Sequence, residues 1–577
     1  MKLKKWSILL VLVFAMSIFL AACAGDDSES SDGNDSGDTE ETEDSGSDSS
    51  EGSEDSGSSE DSEGSDGEGE LAADQTFDIN IKSEPPSLHP GLATDTTSGA
   101  VLDQVFEGLM RINQEGEVEE AMAESYEMSE DQTTYTFKIR EDATWSNGDP
   151  VTAQDFEYAW EWVLDPDNAD TDYAYQLYVI KGAQAAKEEG GSIDDVGITA
   201  EDDQTLVVEL AQPTPYFLDL TAFYTYYPVN HNVVDGNDEW AQDVTENYVT
   251  NGPFTLESWE HKNQIVLKKN PDYWDAETVK LETVNMYMVD DENTALEMYN
   301  SGELDWAGDP TDSLPLAAIP SLTEDGSLNL SSLAGVYYYS FNTEESPFDN
   351  VNIRKAFASA INREGIVQSI TQREEQPAMA LVPPSIWEEN NEGYFADNDP
   401  EAAKEYLETG LEELGLDELP AVKLSYNTSE AHAAIAQAVQ AMWKENLGVE
   451  VELNNEEWNV YLDSMGAGNY QIGRMGWLAD FNDAINFLEI FQSVGGNNYT
   501  NWESEEYSDL IEQSRTETDD AARKDILRQA EQIFMDDMPI APVYFYTNAW
   551  LSQDYVHGIE VSPLGGVQFK WGYLTEQ

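Results

Sequence analysis

Residues 135–166 read "YTFKIREDATWSNGDPVTAQDFEYAWEWVLDP". Tyr135, Phe137 and Ile139 alternate with polar residues, the period of a strand with one buried face. Asn147-Gly148-Asp149-Pro150 then marks a turn. Thr152 is placed to cap a helix, on which Phe156, Trp160 and Val163 share one face. A strand, a turn and a helix in immediate succession predict an α/β chain rather than an all-helical or all-strand one.

The same interleaving runs outward in both directions. Strand-like alternation occurs at 75–85 (Phe77, Ile79, Ile81), and further strands are predicted at 204–210, 263–269 and 448–458. Val101, Leu102, Val105, Phe106 and Leu109 recur at helical spacing, and helices are predicted over 352–367, 401–411 and 431–447. The stretch 410–426 reads as a helix, a loop and a new strand, so 410–458 has the rhythm of a compact α/β lobe. No internal repeat is evident.

The chain has 577 residues, and 117 Asp and Glu against 26 Lys and Arg set its net charge at −91. It opens "MKLKKWSILLVLVFAMSIFLAACAGDD", with three lysines, an apolar run from Ile8 to Leu20, and small residues before Cys23. That run is shorter than the roughly 18–20 residues that span a bilayer, and the layout is that of an export signal. It resembles a bacterial lipoprotein signal, which implies a leader over 1–22 and a lipid on Cys23 that holds the chain on the cell membrane, facing outside. Cys23 is the only cysteine, so no disulfide forms within the chain.

Residues 24–70 carry 20 Asp and Glu and no Lys, Arg or aromatic residue. Such a segment buries too little apolar surface to order itself, and its like charges extend it. Residues 23–72 are therefore expected to be a disordered acidic tether, suited to standing a protein off the membrane of a single-membrane bacterium. With the tether and the three leader lysines set aside, the body still carries −74. The acidity belongs to the folded surface. It repels nucleic acid and anionic lipid, and it points to an environment of high salt, where screening weakens self-repulsion. The body is longer than the roughly 250–300 residues at which single cores stop growing, so two or more lobes are expected.

Motifs for chemistry are absent. His89, His231, His261, His432 and His557 are scattered, with none in a metal-ligand spacing. No nucleophile elbow, phosphate loop or dinucleotide fingerprint occurs. Neither a cofactor nor a metal is expected, and the reading is of capture rather than catalysis.

Several stretches together carry a resemblance: "VFEGLMRINQEG", the opening 135–166 segment, "NGPFTLESWEHKNQIVLKKNPDYWD", "YYYSFNT", "IRKAFASAINRE" and "GWLADFNDAINFLEIF". In matching order from about 75 to 550, they resemble the extracellular solute-binding lipoproteins of oligopeptide and dipeptide import systems (the peptide/nickel class). The resemblance implies a periplasmic-binding-protein-like clamshell of type II with an extra lobe. Lobe I would combine 73–108, 235–335 and 548–577, lobe II would be 109–234, and lobe III 336–547. It also implies a monomer that takes an oligopeptide and delivers it to an ABC permease with cytoplasmic ATPases. Within the fold, dipeptides or nickel chelates are the alternative ligands; a peptide-pheromone signalling receptor is the alternative role.

The family's site residues carry over position by position. Asp480 stands where an aspartate pairs with the ligand's α-amino group, and Trp477 where a tryptophan lines the pocket. The same two residues would also serve as a core tryptophan and a helix cap. Trp458 and Arg474 match a pocket tryptophan and arginine, although Arg474 would equally suit a surface salt bridge. By spacing, Met465 replaces a second arginine. Tyr338 and Asn342 lie on the segment that lines the peptide's path, with period-2 alternation letting either face the core instead. Tyr173 or Tyr175 is implied from lobe II, and Tyr544 or Tyr546 from near the final crossover, with core packing as the competing role. Asp483 reads as a solvated or helix-start carboxylate.

Overall fold

The strand–turn–helix segment forms as its residue types require. Its centre is Asp155, which is buried. Its carboxylate accepts from Trp145 Nε1 at 3.1 Å and Thr152 N at 2.8 Å, and contacts His231 Nδ1 at 2.7 Å. One acid thus closes the loop, satisfies an orphan amide of the helix start and ties in a segment 76 residues away. Gly148 makes the turn at φ +87°, a backbone conformation that favours glycine.

The computed structural model describes residues 70–576 apart from Glu115, Ala169, Asp238 and Thr518. The leader, Cys23 and the acidic run to residue 69 lie outside the described residues. In chain order, β1 (Thr76–Asn80) and α1 (Thr96–Val105) come first. β2 (Ala123–Met128), β3 (Thr134–Ile139), β4 (Ile198–Asp202) and β5 (Thr205–Glu209) form a separate antiparallel sheet in the order β2-β3-β5-β4. Between β3 and β4 runs α2 (Ala153–Leu164), whose Trp160 is fully buried and donates to Tyr226 O at 2.8 Å.

Two short two-stranded pairs aside, the remaining strands build one large mixed sheet, to which Gln376–Pro377 adds a two-residue edge piece. They are β6 (Phe254–Glu260), β7 (Gln264–Lys269), β8 (Thr283–Tyr287), β9 (Trp306–Gly308), β10 (Asn329–Phe341), β11 (Val422–Asn427), β12 (Val451–Glu456), β13 (Ile472–Leu478) and β14 (Ile540–Ser552). With β1 the order across the sheet is β12-β11-β13-β10-β14-β9-β1-β8-β7-β6. β1 runs parallel to β8 and β9 at one end, and β11 runs parallel to β12 and β13 at the other. The two parallel groups are joined through β10 and β14, antiparallel partners of 13 residues each, whose register shifts between Ser332 and Val336. Near the two chain ends, Leu71 bridges Thr575 and Ala72 N donates to Leu574 O at 2.9 Å.

The predicted strands at 75–85, 204–210, 263–269 and 448–458 contain β1, β5, β7 and β12. The helices predicted at 401–411 and 431–447 are present as Pro400–Leu414 and Glu430–Leu447. The helix predicted over 352–367 is broken into Val351–Ser359 and Arg363–Ile366. Asn362 makes the break: its side chain accepts from Gly365 N at 2.8 Å and caps a new start. Arg363 next to it is fully buried and donates to Pro542 O at 2.7 Å.

Candidate functional site

Parallel strands present their carboxyl ends to one side, and in open α/β sheets ligands bind there. Lys82 follows β1, Asp309 follows β9, Asn427 ends β11, and Asp480 follows β13 by two residues. All four line a cavity of about 500 Å³. β10 and β14 pass through its wall, and α1, Tyr173 and Tyr224 close it from the other side.

β13 sets the centre of the site. Arg474, Trp477 and Asp480 all line the cavity, and the chain after β13 is fixed by Asn486, which is fully buried. Asn486 Oδ1 accepts from Trp477 Nε1 at 2.9 Å and from Asp480 N at 3.0 Å, while its Nδ2 donates to Asp480 Oδ2 at 3.1 Å. One amide therefore orients both the aromatic and the acid.

Asp480 is not a helix cap. Besides Asn486, its carboxylate accepts from Gln176 Nε2 at 2.8 Å and Tyr173 Oη at 3.4 Å, both from the segment that carries the smaller sheet. Every one of these partners is neutral. Burial pushes the carboxyl up to about 7, opposed by the Asn486 hydrogen bond, and the charge of Glu489 pushes the same way as burial.

Arg474, half-buried like Asp480, has no carboxylate partner among the described residues. Its Nη2 donates to Tyr546 Oη at 2.6 Å, its guanidinium lies 4.6 Å from the Tyr337 ring centroid, and its Nε has no partner. Only glycine at 476 permits this, because a Cβ there would stand 2.5 Å from Tyr546 Oη. The surface salt bridge considered for Arg474 is not made. Among the charged groups that lower the pKa of His432, Arg474 is joined by Lys82 and Arg373. Those two have acids of their own, Glu292 at 2.7 Å and Asp309 at 3.5 Å.

Of the ten residues singled out from the sequence, eight line this cavity: Asp480, Trp477, Arg474, Trp458, Tyr338, Tyr173, Tyr544 and Tyr546. Asn342 does not. It is buried, and its Nδ2 donates to Gly468 O and Tyr470 O at 3.0 and 3.2 Å, a structural clamp at the end of β10. Tyr175 does not line it either; its neighbour Tyr173, 5.8 Å away ring to ring, does. Met465 is also absent from the lining. It is buried against Gly473, and the helix Trp458–Gly466 turns Trp458 and Leu462 to the cavity instead.

Asp483 departs from its reading as a solvated carboxylate. It accepts from Ile485 N at 2.9 Å, as a helix-start residue does, but it also holds Arg523 by two bonds of 2.8 and 2.9 Å. Beside it, Phe481 stacks on Tyr216 of the smaller-sheet segment at 4.6 Å and 8°, with the Arg523 guanidinium 5.7 Å from the same Tyr216 ring.

Sequence reasoning missed His432, whose Nδ1 has no partner and whose imidazole burial holds well below its ordinary pKa. It also missed the loop 560–571, from which Ser562, Gly565, Gly566, Gln568 and Trp571 reach the cavity. The Pro563-Leu564-Gly565-Gly566 run signals only a turn.

A cavity at strand ends, closed by segments that meet across it and holding a half-buried acid and a half-buried base that do not pair with each other, suits the capture of a solute. The model of the bacterial extracellular solute-binding proteins, family 5 Middle, matches residues 117–499. The chain belongs to this family, which makes it an extracellular solute-binding protein rather than an enzyme. It is similar to the oligopeptide-binding protein OppA of Bacillus subtilis (strain 168), with 56% identity over 505 residues that cover 86% of this chain and 92% of that one. Among solved structures it is similar to the Escherichia coli murein tripeptide binding protein MppA, with a TM-score of 0.82 at 31% identity, covering 88% of this chain and 100% of that one. Against the unliganded open form of MppA, over 88% and 99% of the two chains and at the same identity, the TM-score is 0.60. The likeness is thus greater to the first of these two MppA structures than to the open form. Among the described residues no helix is long and apolar enough to cross a membrane.

Proposed function

We propose that this chain is an extracellular receptor that captures oligopeptides and delivers them to an ABC-type permease driven by cytoplasmic ATPases. The observation that carries the reading is the unmatched pair in the cavity, Asp480 and Arg474, each half-buried and each held by neutral partners. A zwitterionic ligand supplies one opposite charge to each. Asp480 receives the ligand's α-amino group, since a desolvated ammonium needs a fixed carboxylate. Arg474 receives its carboxylate, and Trp477, Trp458, Tyr338, Tyr173, Tyr544 and Tyr546 form the walls. Backbone-led binding between such walls accepts varied side chains.

Three lobes are proposed, with lobe I from 73–108, 235–335 and 548–577, lobe II from 109–234, and lobe III from 336–547. Support comes from strand membership. β2 to β5 fall within lobe II, β11 to β13 within lobe III, β1 and β6 to β9 within lobe I, while β10 and β14 cross between lobes I and III. That crossing pair suits the hinge of a clamshell.

The proposal extends to a monomer anchored on the outer face of the cell membrane by a lipid on Cys23, through an extended acidic tether. Its support there is the amino-acid sequence and the resemblance of its first residues to lipoprotein signals. The mass of the exported chain, with Cys23→Ser as control, tests this: an identical lipid mass on both excludes Cys23 as the anchor.

Native mass spectrometry of the protein as purified tests the ligand class. A ladder of short peptide masses is expected, and a single sugar or chelate mass overturns the reading.

A further inference from the structure

A second, half-buried carboxylate lines the same cavity without a cationic partner among the described residues. Asp103 stands on α1, where Thr96, Ala100 and Asp103 share one face and all line the cavity. The Tyr227 hydroxyl donates to its Oδ1 at 3.0 Å, and no other group contributes appreciably to its electrostatics. Burial pushes it up to about 7, against the effect of the Tyr227 bond.

Tyr224 relates Asp103 to the amine site. Its ring lies 6.0 Å from that of Tyr173, whose hydroxyl donates to Asp480 at 3.4 Å, and it stands against Gly99 of α1; the charges of Asp480, Asp95 and Asp103 all bear on its phenol. Asp95 is occupied by the start of α1, accepting from Thr97 N at 3.0 Å, Ser98 N at 3.1 Å and Ser98 Oγ at 2.7 Å. Asp480 and Asp103 are left. The cavity's cationic side chains, Lys82, Arg373 and Arg474, gather around His432 instead. A ligand with its amino terminus at Asp480 would bring its first side chains toward a carboxylate that no described residue neutralises.

We propose that Asp103 is a specificity-determining residue that receives a basic side chain, a lysine ammonium or an arginine guanidinium, from the first residues of a peptide whose amino terminus lies at Asp480. This rests on the peptide-binding reading above. A buried carboxylate without a counter-charge is costly, and a cation that enters with the ligand removes that cost. An uncharged side chain of the same length leaves the carboxylate unmatched, so the site selects by charge rather than by size.

The test compares tetrapeptides identical except for lysine or norleucine at residue one, and again at residue two, by calorimetry near pH 7.5. A hydrogen bond to a charged partner is worth about 1.5–3 kcal/mol. In at least one pair lysine should therefore bind about 10- to 100-fold more tightly to the wild-type protein. Asp103→Asn should bring that ratio close to one. Asp290→Asn, which alters a cavity carboxylate beside Lys82 and Glu457, should leave the ratio standing. Equal affinities in both wild-type pairs overturn the proposal, whether or not the variants fold. So does a ratio that survives Asp103→Asn, or one that Asp290→Asn abolishes equally. If the wild-type protein binds none of the four peptides, the peptide reading itself falls, and this proposal with it.

Discussion

Peptide affinity should depend on pH through Asp480, in a sense fixed by its surroundings. Without ligand its carboxyl titrates at about 7, because burial and the charge of Glu489 outweigh its hydrogen bonds from Asn486, Tyr173 and Gln176. Binding an ammonium requires the ionised form. Below about pH 7 the protein must therefore release a proton as the peptide enters, and affinity should fall up to tenfold per pH unit. Half of the carboxyl is already protonated at pH 7, so between pH 7 and pH 5 the fall is about 50-fold, or about 2.3 kcal/mol at 1.36 kcal/mol per unit. Above about pH 8 the peptide's own amine loses its proton, so affinity should be greatest at about pH 7–8. Asp103 titrates in the same range from α1, so the assignment depends on a variant. Asp480→Asn should remove the acid limb and cost about 2–5 kcal/mol at pH 7.5, roughly 30-fold to several-thousand-fold. An N-acetylated peptide should show neither the acid limb nor the loss. Calorimetry in two buffers of different ionisation enthalpy counts the released proton directly. Affinity for the free-amine peptide that is flat from pH 5 to 7.5, or an acid limb that persists in Asp480→Asn, would refute the reasoning.

Other outcomes follow from separate features. Asp483→Asn should not be silent, since it strips Arg523 of a two-point partner; we expect a loss of about 1–3 kcal/mol in stability by thermal denaturation. Tyr216→Ala removes a ring that stacks on Phe481 but lies outside the ligand cavity, so it should weaken free and N-acetylated peptides alike, by about 2- to 10-fold, through a smaller closed population. The ligand-free protein should melt higher near pH 5.5 than near pH 7.5. Asp103, Asp480 and Glu489 are all raised to about 7, so the stability they contribute is full at low pH and is lost as pH rises through that value. A body carrying −74 should also gain thermal stability between about 0.05 and 1 M sodium chloride, and a melting temperature that salt leaves unchanged would show the surface charge to be well accommodated already.

The parts of the fold legible in the sequence were those whose burial is one-sided. β3 and α2 show it: Tyr135, Phe137 and Ile139 on one, Phe156 and Trp160 on the other, each keep one polar face, so period alone identifies them. β10 and β14 escaped because Leu333 to Phe341 and Ile540 to Phe545 are buried on both faces, which erases the alternation. The break at Asn362 was hidden because its cap competes with a sequence that otherwise propagates as helix. At the site, residues within one short run were legible: Arg474, Trp477 and Asp480 are neighbours in the chain. Asp103, His432 and the loop 560–571 come from three distant segments, and what unites them is a cavity with no counterpart in sequence spacing. Asn486 was in plain view within "GWLADFNDAINF", but its role requires knowing that two other residues fold back on it.

The meeting of the chain ends has a mechanical consequence. Leu71 and Ala72 pair with Thr575 and Leu574, and Gln75 adds two bonds to Leu574, of 2.8 and 3.0 Å. Tension applied through the amino terminus first reaches this clasp and then β1, an interior strand matched to β8 in parallel over five residues. Pulled from its start, a parallel pair loads its hydrogen bonds in shear, all together, rather than peeling them one at a time. The load also enters the half of the sheet that holds both termini, on the far side of β14 from β11, β12 and β13. The other half lies off that path, and the hinge proposed at β10 and β14 would turn as on an unloaded arm.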